Sequence, residues 1–147
     1  MSRRFQGRAI LPGELEGEAV VTHAGFNAYA SFYNSLREGV VSAECADSGN
    51  LELYGMRLDG KIVCLPNTTG STSAGAVWQR IARLGIAPKA MLFSRAIDPV
   101  AAGGLIVADR WAGKRIVTVD RLGEAFLQEV KTGDRITVQE DGTVVIQ

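Results

Sequence analysis

Six of the seven residues in Asn67-Thr68-Thr69-Gly70-Ser71-Thr72-Ser73 carry a hydroxyl or a side-chain amide. A helix N-cap uses one or two such groups, so the excess points to a bound polar ligand as well as to local structure. The apolar run Ile62-Val63-Cys64-Leu65 precedes them, bounded by Gly60-Lys61 and Pro66, and reads as a short buried strand. Val77, Trp78, Ile81 and Leu84 follow at helical spacing, and Gly85 and Pro88 end that pattern. A strand, a hydroxyl-rich glycine loop and a helix start therefore stand in a row. A helix start offers unpaired backbone N–H groups and a partial positive charge, which suit a carboxylate or a phosphate. Capping and tight turning account for the same residues without a ligand, and on spacing alone the two readings weigh equally.

Other chemistry is sparse. The loop lacks the closing Gly-Lys-Ser/Thr of a Walker phosphate loop, since Lys89 falls well beyond the helix. It also lacks the G-x-S-x-G of a nucleophile elbow, although Ala74-Gly75 follow Ser73. His23 is the single histidine, so a Ser-His-Asp triad has no other choice; a lone histidine is more often a surface or satisfied structural residue. Cys45 and Cys64 are too far apart for a C-x-x-C signature, and two cysteines fall short of the three or four ligands of a zinc or iron–sulfur centre. Glu14, Glu16 and Glu18 alternate beside a turn and read as a solvated strand face rather than a metal cage. Asp98 and Asp109 are assigned to turns or caps. Phe26, Tyr29, Phe32 and Tyr33, at helix-like spacing, read as core, and Trp78 and Trp111 as packing residues. Hydroxyls without an evident base or metal amount to half of a site.

The elements that must position this loop follow from patterning. A chain of 147 residues fits one domain, residues 1–147, with a sizeable core. Sixteen basic and sixteen acidic side chains balance, so no net field favours nucleic acid or an anionic membrane. No apolar run approaches the roughly 20 residues of a membrane span. Met1-Ser2-Arg3-Arg4-Phe5-Gln6 is basic but lacks a signal peptide's apolar centre, which makes the cytoplasm, with reduced thiols, the expected compartment.

Residues 7–11 and 17–22 read as two strands of a hairpin turning at Pro12-Gly13-Glu14. Residues 23–39 are ambiguous between a loop and one short helix, and 38–59 read as extended loop with brief strands. Residues 61–65, 90–93, 105–107 and 116–119 read as buried strands, and 73–84 as a helix. Pro99 opens a short helix through Val100-Ala101-Ala102, and 109–114 form a polar turn. Asp120 caps a helix whose face is Leu122, Ala125, Phe126 and Val130. Residues 135–139 and 143–146 form a hairpin about Asp141-Gly142. Strand–helix–strand alternation implies parallel pairing. The expected fold class is α/β, a compact mixed sheet or partly closed barrel with flanking helices.

Several blocks together resemble a known family: Gly60-Lys61-Ile62-Val63-Cys64-Leu65-Pro66, Gly70-Ser71-Thr72-Ser73-Ala74-Gly75, Ala87-Pro88-Lys89-Ala90-Met91-Leu92-Phe93, the run from Asp98 through Ala108, and the early Gly17-Glu18-Ala19 and Gly25-Phe26-Asn27. Over nearly the whole chain they are similar to the small subunit of aconitase X. The resemblance implies the swivelling β/β/α domain of aconitase-like hydratases. In that superfamily a Gly-Ser-Ser-Arg loop brings a serine alkoxide to the substrate as the base of a dehydration. The first serine matches Ser71, the second falls on Thr72 and the arginine on Ser73. Loss of the arginine argues against a tricarboxylic substrate, since no guanidinium is left here for bidentate carboxylate binding.

The resemblance further implies that Ser71 is catalytic. It has Thr72 and Ser73 hold the substrate carboxylate, Asn67, Thr68, Thr69 and Gly70 shape the loop and touch the substrate, and Phe26 and Asn27 line the pocket. It places an iron–sulfur cluster on a separate large subunit, leaving this chain without metal ligands. Bacterial members dehydrate cis-3-hydroxy-L-proline to Δ1-pyrroline-2-carboxylate, and an archaeal branch dehydrates 5-phosphomevalonate. The present loop looks closer to the hydroxyproline branch. The rival from another class is a non-catalytic swivel or docking domain that binds a small anion. A phosphohistidine swivel is weaker, because His23 is far from Ser71 in sequence, and a self-contained serine hydrolase is weaker still.

Overall fold

Alternation along the central strands sorts side chains onto two faces, and both faces are buried. The computed structural model describes residues 2–37, 41, 43–70 and 74–147. Its strands are β1 (Arg3–Gln6), β2 (Arg8–Leu11), β3 (Leu15–Val21), β4 (Phe26–Asn27), β5 (Ile62–Leu65), β6 (Thr68–Thr69), β7 (Ala90–Phe93), β8 (Val117–Asp120), β9 (Arg135–Val138) and β10 (Thr143–Ile146). Its helices are α1 (Ala28–Ser31), α2 (Tyr33–Arg37), α3 (Ala74–Leu84), α4 (Pro99–Ala112) and α5 (Glu124–Glu129). Eight strands form one mixed sheet in the order β1-β10-β9-β3-β5-β7-β8-β2. Within it β3, β5, β7 and β8 run parallel, and every other pairing is antiparallel.

The two edge strands of this order, β1 and β2, are consecutive in the chain, separated by Gly7 alone. One extended segment therefore pairs with β10 through its first half and with β8 through its second. That continuity curls the sheet into a nearly closed barrel and leaves only short four-residue edges, which blunts the template for aggregation that a long open edge would offer. Inside lie Ala19, Val21, Ile62, Cys64, Ala90, Leu92, Val117, Val119, Ile136, Val138, Val144 and Ile146, plugged by Leu122, Phe126, Leu127 and Val130. Outside, Val20, Val63, Leu65, Met91 and Phe93 pack beneath Trp78, Ile81, Leu105 and Ala108 of α3 and α4. The result is the expected α/β architecture, a barrel-like sheet with helices against its parallel side.

Several expectations are corrected. Residues 7–11 and 17–22 do not form a hairpin: β2 pairs with β8, while β3 lies between β9 and β5. Local turn chemistry at Pro12-Gly13 is satisfied by either arrangement, and closure of the barrel decides it. Residues 105–107 are not a strand, nor 109–112 a turn, because α4 runs the full Pro99–Ala112. Gly103 and Gly104 made that run look broken. Ala101, Leu105 and Ala108 share one buried face, and that burial outweighs a helix penalty of about 1 kcal/mol per glycine. Asp120 does not cap a helix; it ends β8 fully buried, and Gly123 stands at the N-cap of α5. The buried α5 face uses Leu127 instead of Ala125.

Residues 26–37 form β4 and two short helices rather than a loop or one helix. Phe26 and Phe32 are core, but Tyr29 and Tyr33 meet edge to face at the surface, each 39% exposed. Trp78 is buried, whereas Trp111 is 73% exposed. The first strand, β1, has no counterpart in the sequence reading.

Closure depends on the absence of a side chain at Gly7, where an added Cβ would lie 2.5 Å from Val119 Cγ1 and 2.6 Å from the Asp120 carbonyl oxygen. Gly7→Ala is expected to destabilise the protein by about 1–3 kcal/mol. The check is urea unfolding: an unchanged midpoint would mean that the barrel does not close tightly here.

Candidate active site

In open α/β sheets ligands gather beyond the carboxyl ends of parallel strands. Here the chain leaves β3 at Thr22-His23, β5 at Pro66, β7 at Ser94 and β8 at Arg121, so these exits share one end of the barrel. The hydroxyl-rich loop is the exit of β5. Its first half is held by a two-stranded parallel ladder in which Phe26 faces Thr68 and Asn27 faces Thr69. The Phe26 amide donates to the Asn67 carbonyl at 2.9 Å, and Asn67 Nδ2 donates to the Thr68 carbonyl at 3.2 Å. Gly25 brings the two segments close enough that a Cβ there would sit 2.3 Å from Thr69 Cγ2. Gly70 has φ +111°, and a Cβ on it would lie 3.2 Å from Asn27 Oδ1. Only glycine combines that dihedral with that approach.

The structure thus brings Phe26, Asn27, Asn67, Thr68, Thr69 and Gly70 together. It also shows what each is already doing. Phe26 is fully buried and stacks on Trp78 with ring centroids 6.1 Å apart, so its ring belongs to the core. Asn27 caps α1, its Oδ1 accepting from the Ala30 amide at 3.0 Å. Thr68 Oγ1 donates to Asp98 Oδ2 at 2.7 Å. Thr69 and Gly70 are exposed. Ser71, Thr72 and Ser73 lie outside the described residues, between Gly70 and the start of α3 at Ala74.

Two carboxylates support this end of the fold. Asp98 Oδ1 accepts from the Ala101 amide at 2.9 Å and so caps α4. Burial works to raise the Asp98 carboxyl, but the hydrogen bonds from Ala101 and Thr68 outweigh it and hold the group below the ordinary carboxylate range. Asp120, fully buried, accepts two hydrogen bonds from Arg8, at 3.0 and 2.8 Å, and one from the Ile97 amide at 2.8 Å. The sequence reading assigned Asp98 to a turn or a cap and missed its grip on Thr68. The Asp98-Pro99 pair was the available signal for the cap; nothing local announces the partner 30 residues away.

A second group surrounds His23. Its Nδ1 lies 2.7 Å from Glu52 Oε2 and its Nε2 lies 3.2 Å from the Leu127 carbonyl oxygen. Both partners are acceptors, so the contacts favour the imidazolium, which alone has a proton on each ring nitrogen. The hydrogen bond to Glu52 raises the His23 pKa above 6.5 against the effect of burial. Glu52 also takes the His23 amide and the Thr22 hydroxyl. Burial pushes this carboxyl up, yet those hydrogen bonds bring it below its ordinary value. His23 is thereby a structural clasp between the exit of β3 and α5. Beside it opens a cavity of about 190 Å³ lined by Pro66, Ser94, Arg95, Glu124, Leu127 and Gln128 as well as His23.

Among the described residues no three His, Cys, Asp or Glu side chains are grouped to hold a metal ion. Cys64 points into the barrel core, where burial pushes its thiol pKa far up, and burial likewise raises that of Cys45. The two lie in separate core clusters, and an iron–sulfur cluster takes three or four protein ligands, so these cysteines do not fit such a centre. No helix among the described residues is long and apolar enough to cross a membrane.

Comparison with known proteins gives concordant likenesses. The family described as the aconitase X swivel domain matches residues 4–146. The phosphomevalonate dehydratase small subunit of Archaeoglobus fulgidus is 33% identical over 140 residues, covering 94% of this chain and 93% of that protein. The protein of the same name from Methanocaldococcus jannaschii is 33% identical over 142 residues, covering 96% and 95%. Among solved structures, Thermococcus kodakaraensis aconitase X in its holo-form superposes with a TM-score of 0.82 at 25% identity, covering 99% of this chain and 98% of that one.

The clasp has a pH signature. A histidine whose folded pKa lies above 6.5 contributes stability that is complete below 6.5 and lost as pH rises through the raised value. Urea midpoints of the wild type should fall across that window, while those of His23→Gln stay level. A His23 ring that titrates at or below 6.5 by NMR would overturn the imidazolium assignment.

Proposed function

This chain belongs to the aconitase X swivel domain family, and from that premise we infer that it supplies the base-bearing half of a split active site in a two-subunit dehydratase. The observation that carries this reading is the fixed seat of the Asn67–Gly70 turn, held by β4 and by Asp98 at the carboxyl ends of the parallel strands, immediately before Ser71. The reaction is the loss of water from a 3-hydroxy acid. A base takes the proton from the carbon next to the carboxylate, the β-hydroxyl leaves as hydroxide, a carbon–carbon double bond remains, and the proton and hydroxide together make up the water lost.

Ser71 is the base in this reading, receiving the proton on its oxygen. A serine is a poor base unless its alkoxide is stabilised, and backbone N–H groups at the start of the eleven-residue α3 are suited to that work. Thr72 and Ser73 hold the substrate carboxylate by hydroxyl and amide donors. Asn67, Thr69 and Asn27 border the same space. The cluster of the family is assigned to the large subunit, along with the part of the site from which the hydroxyl leaves.

For the substrate, the named relatives support 5-phosphomevalonate over the cis-3-hydroxy-L-proline suggested by the look of the loop. One observation favours the second reading. The cavity beside the loop is lined by both Arg95 and Glu124, a cation and an anion that suit the carboxylate and ammonium of an imino acid, whereas Glu124 would repel a phosphate dianion.

Co-expression with the cognate large subunit and an anaerobic dehydration assay on both compounds test the reading. Turnover by the complex and by neither chain alone is expected, with 5-phosphomevalonate as the better substrate. Turnover of cis-3-hydroxy-L-proline alone would transfer the assignment to the imino acid. Ser71→Ala should lower turnover by about 10²–10⁴-fold; a complex that keeps near-normal activity with this change would remove Ser71 from the role of base.

A further inference from the structure

We propose that Asp98 is a positioning residue of the active site, acting through Thr68 to hold the loop that carries the base. This rests on the reading of Ser71 above. The two oxygens of Asp98 have separate duties: Oδ1 accepts from the Ala101 amide and starts α4, and Oδ2 accepts from the Thr68 hydroxyl. Thr68 has one hydroxyl proton, and it is spent on Asp98. Its side chain therefore serves the loop's placement and is not a donor to substrate.

The anchor is itself anchored. The Ile97 amide, one residue before Asp98, is bound by Asp120, which Arg8 grips with two hydrogen bonds. Across the loop Asn27 faces Thr69 in the β4–β6 ladder, and its carboxamide approaches Gly70. The turn before Ser71 is thus held from both sides, by Asp98 on the α4 side and by Asn27 on the α1 side. Proton abstraction requires the base within about 3–3.5 Å of its target, and a misplacement near 1 Å can cost 10²-fold in rate. A charge-assisted hydrogen bond between two rigid elements gives the loop that definition.

Three variants separate placement from folding. Asp98→Ser keeps one oxygen able to cap α4 but has none left for Thr68. Thr68→Val keeps the shape and deletes the hydroxyl, and Thr68→Ser restores it. The first readout is amide hydrogen exchange on the full chain. Amides of residues 67–70 should exchange about tenfold faster in Asp98→Ser and Thr68→Val, while those of β5 and β7 keep wild-type rates and Thr68→Ser behaves as wild type.

The second readout is turnover in complex with the large subunit. kcat should fall about 10- to 100-fold with KM nearly unchanged in the first two variants, and Thr68→Ser should recover it. Wild-type exchange at residues 67–70 in both Asp98→Ser and Thr68→Val would overturn the proposal, as would a rise in KM at constant kcat, which would make Thr68 a binding group. Should Asp98→Ser fail to fold, Thr68→Val decides alone. A wild-type complex inactive on both substrates would refute the proposed function, and the exchange result would still judge the tether.

Discussion

A carboxylate with no solvent contact holds this fold at the point where its sheet closes. Asp120 ends β8 inside the protein, and its two oxygens accept a guanidinium from Arg8 on β2 and the amide of Ile97 before α4. A buried charge is tolerated only when its lone pairs are satisfied, and three donors meet that demand. Two of them come from Arg8 on β2 and one from the backbone just before α4. The barrel's last pairing, the final parallel strand and the entry to the second large helix are therefore tied to one group. Disturbing it would loosen the seam of the barrel and the support beneath the Asn67–Gly70 loop together.

The two-faced sheet explains why the candidate site lies at one end. Alternate residues of β5 and β7, and of Ala19–Val21 in β3, serve the barrel interior and the helical layer, so no position there is spare for chemistry. Cys64 illustrates the point: its thiol is enclosed among aliphatic side chains and held protonated. Function is pushed to the strand exits, where backbone amides, helix starts and polar side chains are exposed and unpaired with the sheet ladder. Small ladders such as β4–β6 then give a loop the definition of a strand without burying it.

Much of this was legible in the sequence, for physical reasons that differ by region. Strands β5, β7, β8, β9 and β10 are short apolar runs between strong turn formers, and α3 has clear helical spacing; local signals sufficed. The Gly70 turn stood out by its hydroxyl-rich setting. What failed were features decided at long range. β2 resembled half of a hairpin because its true partner, β8, lies more than a hundred residues away. Part of α4 looked like a strand because Leu105-Ile106-Val107 is apolar with two β-branched residues, and only packing against α3 made Leu105 and Ala108 a buried stripe. Trp111 was taken for a packing residue on composition, yet it stands on the open side of α4. The bond from Thr68 to Asp98 was not foreseen, because its acceptor lies 30 residues on at another strand exit.

Barrel closure by one kinked segment has a consequence for how the protein can be joined to others. Arg3 and Ile146 are direct partners across the β1–β10 ladder, and Arg3 reaches Glu129 of α5 at 3.5 Å. Head and tail of the described fold thus emerge at a single corner. A tether attached at either extremity would start from nearly the same point and sweep nearly the same volume, so the effective concentration it confers on a docked companion would depend on its length and hardly on gene order.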